Sequence, residues 1–285
     1  MNASRPPELP LGPPLTPVLG TPLFSVDLRA DPELWLLSDL HLHPGDTASF
    51  EAFDAWLDAV PAGAPVLILG DLFEYWCSDK QSRDPRWRPL LDLLRRHVER
   101  GLRIWILHGN RDFLLGSKFE RATGAVVVPG GLLVQRPGDM QLLCLHGDEL
   151  CLNDQAYQKA KRRLRSWWMR LLSRLLPYAL SKRIAGGLRE HSGKAISAKE
   201  PLSMRPSQRA FRELLALPAQ ELIFGHIHRA GHGLWPEDPK ARRYLILPAF
   251  EAEAAGHARQ SSSQPIRYWS QGQEQPWPED EELGA

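Results

Sequence analysis

Five short apolar runs, each broken off by a cluster of Asp, Asn, His and Gly, constrain the fold of this chain more than any other feature. The runs are Leu34 to Leu37, Val66 to Leu69, Ile104 to Leu107, Leu142 to Leu145 and Leu222 to Phe224. The clusters read Asp39-Leu40-His41, Gly70-Asp71, Gly109-Asn110-Arg111-Asp112, His146-Gly147-Asp148 and Gly225-His226-Ile227-His228. Runs of this length bounded by turn residues predict buried strands. Side chains at such strand ends gather along one edge of a sheet, where α/β folds bind ligands. Carboxylates, imidazoles and one amide carbonyl collected there form the donor set for two divalent metals of borderline hardness.

Between the runs the period changes. Phe50, Phe53, Ala55, Trp56, Leu57 and Val60 fall on one helical face, as do Leu90, Leu91, Leu93, Leu94 and Val98 ahead of a stop at Gly101. Strand–helix alternation predicts a layered α/β core. Residues 1 to about 30, rich in Pro, Gly and Leu, read as a flexible extension, and the core domain spans 31–257. From about Ala258 the chain reads as mostly disordered, with Ile266 to Trp269 as one last strand.

The rhythm breaks over a cap insertion at about 152–217. Leu164, Trp167, Trp168, Leu171, Leu172, Leu175 and Leu176 follow amphipathic helical spacing, and no acidic residue occurs between Asp154 and Glu190. Such a helix either packs as a cap on its neighbour or lies on an anionic membrane surface. A formal net charge of +1 excludes a general affinity for polyanions, so no nucleic-acid partner is expected. Three widely spaced cysteines, Cys77, Cys144 and Cys151, argue for a reducing compartment. The start lacks the apolar stretch of a secretory signal, and no run approaches the roughly 20 residues that span a bilayer. The expected location is cytoplasmic, with at most a membrane surface in contact, and no obligate protein partner is evident.

The clusters distribute naturally over two cations. Asp39, His41, Asp71 and His228 would hold one, and Asp71, Asn110, His146 and His226 the other, with Asp71 bridging. Two such metals clamp the attacking and leaving oxygens of an in-line displacement at phosphorus, and metal-bound hydroxide is the expected nucleophile. Taken singly, Asp-x-His and Gly-Asp are ordinary turns. Agreement of all five is what carries the reading. Of the other histidines, His97 is expected on a helix face, His108 packs at a strand end, and His43, His232 and His257 sit in loops.

Over residues 33 to 250 these blocks resemble the calcineurin-like metallophosphoesterases. The longer strings Gly70-Asp71-Leu72-Phe73-Glu74-Tyr75-Trp76, Gly109 to Gly116 and His146 to Cys151 resemble a branch of that superfamily acting on a lipid-linked UDP-sugar in lipid A biosynthesis. The resemblance implies a β-sandwich core flanked by helices, a helical cap over the site, Mn2+ as the metal, hydrolysis of a pyrophosphate and peripheral association with the cytoplasmic face of the inner membrane. It implies catalytic roles for Asp71, Asn110, Arg111 and His226, and substrate contacts from Asn110, Arg111, Asp154, Ser192, Lys199 and His226. A guanidinium at Arg111 suits phosphate because its planar donor fork pairs with two oxygens. Ile196 stands where the branch carries Asn, and Glu149 where Thr is common. A phosphoesterase for another nucleotide or phosphodiester, and a non-catalytic scaffold of the same fold, are the competing readings.

Overall fold

In the computed structural model, residues 11–166, 169, 171, 173, 175–178, 180, 183, 205–262 and 264–280 are described. All five apolar runs are strands: β3 (Glu33–Leu37), β4 (Pro65–Ile68), β5 (Arg103–Leu107), β8 (Met140–Leu145) and β9 (Glu221–Phe224). With β6 (Val126–Val128), strands β3, β4 and β5 pair in parallel, register following register: Leu36 lies opposite Leu67, and Leu67 opposite Trp105. Strands β12 (His257–Ser261), β13 (Arg267–Ser270) and β14 (Gln273–Gln275) extend this first sheet, in the order β14-β13-β12-β3-β4-β5-β6. The second sheet runs β1-β2-β7-β8-β9-β11-β10, from β1 (Leu15–Val18), β2 (Thr21–Asp27), β7 (Gly131–Arg136), β10 (Gly231–Leu234) and β11 (Arg243–Ile246) besides β8 and β9.

Alternation along each strand sorts its residues between two cores. Leu34, Leu36, Leu67, Leu69, Trp105 and Leu107 face Leu132, Val134, Leu142, Cys144, Ile223 and Leu245 of the second sheet. Trp35, Leu37, Val66, Ile68, Ile104 and Ile106 face the helices α1 (Thr47–Ala59), α2 (Arg88–Glu99) and α3 (Ser117–Thr123). The outer face of the second sheet carries Leu143, Leu145, Leu222 and Phe224 against Phe211 and Leu214 of a short helix, α5 (Gln208–Leu214). Strands buried on both faces have no polar side to show, which is why they read as unbroken apolar runs. The result is a sandwich of two sheets with helices on its outside. Within α1, Phe53, Trp56 and Leu57 are buried as expected, but Ala55 points to solvent.

The ends of the chain correct the sequence reading. Residues 15–18 and 21–27, expected to be part of a flexible extension, form β1 and β2, and β2 pairs in parallel with β7. Three stretches of the expected disordered tail are strand as well, in β12, β13 and β14, not only the segment near Trp269. Buried Arg136 ties these segments together, donating to Gln260 Oε1 at 2.9 Å and to the carbonyls of Leu28 and Asp31 at 3.2 and 3.1 Å. His257 stacks between Trp35 and Trp269, with ring centroids 5.7 and 5.8 Å away. His257 and His232 therefore lie in strands, not loops. The long-range partners that order these segments leave no local periodicity.

Candidate metal centre

Each of the five strands ends at the same rim of the sandwich, and the two sheets meet there. His146, just beyond β8, sets its Nδ1 2.8 Å from the Leu69 carbonyl just beyond β4. The His226 amide, after β9, donates to Asp39 Oδ2 at 2.8 Å, and the Arg111 amide donates to Asp71 Oδ1 at 2.9 Å. Asp39, His41, Asp71, His226 and His228 all take left-handed backbone, with φ of 55°, 50°, 51°, 67° and 62°. That conformation is rare outside glycine, and here it turns each side chain out of the strand direction towards the rim. Gly109 and Gly225 permit the close approach: a Cβ on the first would strike Asp71, and one on the second would strike Ser38 and Asp39.

The seven side chains expected from sequence converge. His41 Nε2 lies 3.0 Å from His228 Nε2, and His228 Nε2 lies 3.4 Å from Asp39 Oδ1. His41 Nδ1 is 3.9 Å from Asp71 Oδ2, His146 Nε2 is 3.8 Å from Asp71 Oδ1, and Asn110 Oδ1 is 2.9 Å from His146 Nε2. The His226 ring packs edge-on to His146 with centroids 5.1 Å apart. The donor atoms of Asp39, His41 and His228 lie within 4.8 Å of one another, as do those of Asp39, Asp71 and His146. Asp39 Oδ1, His41 Nδ1 and Asp71 Oδ2 are buried without a hydrogen-bond partner. Buried polar atoms left unpaired are costly, and a cation is the species that would satisfy a carboxylate oxygen and an imidazole nitrogen together. The residues fit divalent metals.

Electrostatics agree with that fit. Burial pushes the Asp71 carboxyl up to about 7, with Asp112 and Asp39 adding to the rise against the opposing pull of His146. Burial opposes ionisation of Asp39 too, but the imidazoles of His228 and His146 hold it below the usual carboxylate range. His146 is raised to about 9: desolvation works against its charge, and the carboxylates of Asp71, Asp39, Asp148 and Glu149 outweigh it. Burial drives His41 down to about 3 and His226 to about 4, with Arg111 adding to the first and His146 to the second. The Leu69 carbonyl selects the His146 tautomer protonated at Nδ1, which leaves Nε2 as the donor facing the rim.

Arg111 reaches the same place. Its Nε lies 3.5 Å from Asp71 Oδ2, and its Nη1 donates to Glu74 Oε2 at 2.7 Å. Asp154 caps helix α4 (Gln155–Leu164), accepting from the Tyr157 amide at 2.9 Å. Ser192, Ile196 and Lys199 lie outside the described residues, as do Trp167, Trp168 and Leu172.

Three acidic residues take roles that spacing alone does not assign, and two cations of the basic helix pair with one of them. Asp112 accepts from the Gly109 amide at 2.8 Å and the Leu72 amide at 2.9 Å, locking the Asn110 turn against the Asp71 turn. Glu74 holds the Arg111 guanidinium. Asp148 accepts from the Tyr157 hydroxyl at 2.5 Å and lies 2.8 Å from Lys161 Nζ, with Arg165 Nη2 at 3.7 Å. Lys161 and Arg165 thus turn inward from α4, so its basic residues are not all presented to solvent. Asp112 and Asp148 stand inside the clusters themselves, and that position was the available signal. A third group, Asp54, Asp58 and His97, lies on the faces of α1 and α2, where His97 Nε2 is 2.6 Å from Asp54 Oδ1 and Arg96 also pairs with Asp54.

No protein-family model matches the chain. Among curated proteins, the UDP-2,3-diacylglucosamine hydrolase of Photorhabdus laumondii is 34% identical over 196 residues, 68% of this chain and 80% of the relative. That of Ralstonia nicotianae is 34% identical over 71% of this chain and 79% of its own. One from Escherichia coli is 35% identical over 224 residues, 77% of this chain and 91% of the relative. A 5'-nucleotidase precursor structure from Thermus thermophilus, 16% identical over 87% of this chain and 56% of its own, gives a TM-score of 0.37, too low to define a shared fold. On the strength of the curated relatives, this chain belongs to the UDP-2,3-diacylglucosamine hydrolase family.

Proposed function

We propose that the chain hydrolyses the pyrophosphate bond of UDP-2,3-diacylglucosamine, giving UMP and 2,3-diacylglucosamine 1-phosphate in lipid A biosynthesis. The convergence of Asp39, His41, Asp71, Asn110, His146, His226 and His228 on one rim carries the reading, beside Arg111. Asp39, His41, Asp71 and His228 hold one divalent cation, and Asp71, Asn110, His146 and His226 a second, with Mn2+ the expected metal. Bound there, the two cations supply Lewis-acid charge to phosphoryl oxygens and acidify water. Arg111 orients the phosphate through its donor fork while Glu74 keeps the guanidinium directed at the rim. Asp154, Ser192 and Lys199 are assigned substrate contacts from the family resemblance.

The cap delivers the lipid. Leu171, Leu175 and Leu180 are exposed, Leu175 by 71%, and Lys159, Arg162 and Arg163 of α4 face solvent nearby in sequence. An exposed leucine face next to cations suits an anionic membrane surface. No helix among the described residues is long and apolar enough to cross a membrane. Sedimentation with anionic vesicles at low salt tests the association, and absence of binding refutes it.

The catalytic proposal is tested by stripping the protein of metal, adding Mn2+ back, and assaying UMP release from UDP-2,3-diacylglucosamine. Metal-dependent UMP release is expected. Cleavage of another phosphodiester without UMP release would move the chain to a different substrate, the reading that Ile196 favours.

A further inference from the structure

The segment 276–280 crosses from the edge of the first sheet to the edge of the second. Trp277 Nε1 donates to the Ile266 carbonyl at 3.0 Å, which fixes the start of the crossing against the first sheet. The His232 amide then donates to the Pro278 carbonyl at 2.9 Å, and the Asp280 amide to the His232 carbonyl at 2.8 Å, so the segment pairs alongside β10. The Asp280 carboxylate, 1% exposed, accepts from Arg229 Nη2 at 2.8 Å and from the Tyr244 hydroxyl at 3.1 Å. Arg229 directly follows His228.

The loop that carries His226 and His228 needs restraint, because both residues hold left-handed backbone. On its upstream side the Gly225 amide donates to the His146 carbonyl at 2.8 Å, and the His226 amide to Asp39. Downstream, the Arg229–Asp280 pair comes first and the β10 ladder follows. The His228 side chain is 42% exposed, against 19% for His41 and none for Asp39, Asp71 and His146, so packing orients it least.

We infer that Asp280 is a positioning residue of the metal centre, holding through Arg229 the backbone that aims His228. The inference rests on His228 being a metal ligand, as proposed above. A partner that orients a ligand from behind changes metal affinity without touching the metal.

The test uses the full chain, stripped of metal and titrated calorimetrically with Mn2+, with the unfolding midpoint of the metal-free protein measured in parallel. Asp280→Ala and Arg229→Ala should each weaken one Mn2+ equivalent by about 10- to 100-fold. The double variant should be no weaker than either single one, since both remove the same link. Tyr244→Phe removes a different partner of Asp280; it should lower the midpoint and leave both affinities within about twofold. Wild-type affinity in Arg229→Ala, whose side chain is 42% exposed, overturns the inference even if Asp280→Ala fails to fold. His228→Ala separates the two readings. Loss of one equivalent in that variant with none affected in Arg229→Ala defeats the positioning role alone, whereas no change in His228→Ala defeats the ligand assignment and this inference with it.

Discussion

Replacing Asp71 by Asn should stabilise the metal-free protein and remove its response to metal. The carboxylate is fully buried and its Oδ2 has no hydrogen-bond partner, so its charge is desolvated with only partial compensation from Arg111 and His146. Burial raises its pKa from 3.8 to about 7, which caps the penalty on the ionised form at about 4 kcal/mol. That net value already contains the pull of His146, 3.8 Å away. Asn replaces the charge by a neutral amide that still lacks one partner, which sets the gain lower, at about 2 kcal/mol, the scale of one unsatisfied buried group. The folded pKa lies above the unfolded one, so the folded state binds the additional proton. Its stabilising effect is complete below about pH 4 and is lost as the pH rises towards 7. At roughly 2–4 °C per kcal/mol, Asp71→Asn should melt about 4–8 °C above wild type at pH 8 without metal. The gap should shrink as the pH falls towards 4. With Mn2+ at about 100 times its dissociation constant, wild type should gain about 2.7 kcal/mol and Asp71→Asn far less. Thermal melts with chelator and with Mn2+ between pH 5 and 8 read all of this. A metal-free Asn variant less stable than wild type at pH 8, or one with the full metal-dependent shift, would refute the reasoning.

Arg111→Ala should reduce kcat by about 10²- to 10³-fold, the scale of losing one charge-stabilising donor, with Mn2+ content unchanged; loss of a metal equivalent would count against its separate role. Asp71→Ala should abolish turnover more completely than Arg111→Ala, and comparable residual rates would contradict the shared carboxylate. At His228, with φ of 62°, Gly should be more stable than Ala by about 1 kcal/mol, the reverse of the usual order, as read by urea midpoints. Asp238→Asn breaks a buried pair in which Arg242 Nε donates to Asp238 Oδ2 at 2.7 Å while its guanidinium lies 4.1 Å from the Trp235 ring centroid. The expected loss is about 3 kcal/mol. The hydrogen bond from Arg242 lowers the Asp238 pKa to about 2, so this contribution is present above about pH 4 and lost as the pH falls towards 2, checked by urea melts across that window.

The site was legible because its residues sit at the ends of strands that are themselves legible. Leu34 to Leu37 or Val66 to Leu69 must be strands buried on both faces, and a run that stops at Asp or His places that residue at a rim. The order of the sheets was not legible, because β2 beside β7 and β12 beside β3 are pairings across long stretches of chain. Residues 21–27 alternate too weakly to announce a strand, and their ordering comes from β7, whose buried Arg136 also holds the Leu28 carbonyl just past the strand. Lys161 and Arg165 looked like part of a solvated basic face since their partners, Asp148 and Glu149, precede the helix and carry no helical phase.

Left-handed backbone at five of the seven converging residues explains why the chemistry is placed beyond the strands and not within them. Along an extended strand, residues two apart share one face, and here each face is filled by the inter-sheet core or by helices. A ligand kept in that geometry would be buried under packing with no route to substrate. Turning the backbone left-handed at the first positions past the ladder redirects Asp39, His41 and Asp71 to the rim, at roughly 1–3 kcal/mol each. Burying the Asp71 carboxylate adds an electrostatic penalty of comparable size. The fully apolar strands behind them must outweigh both, which couples the uninterrupted hydrophobic runs to the polar clusters that end them.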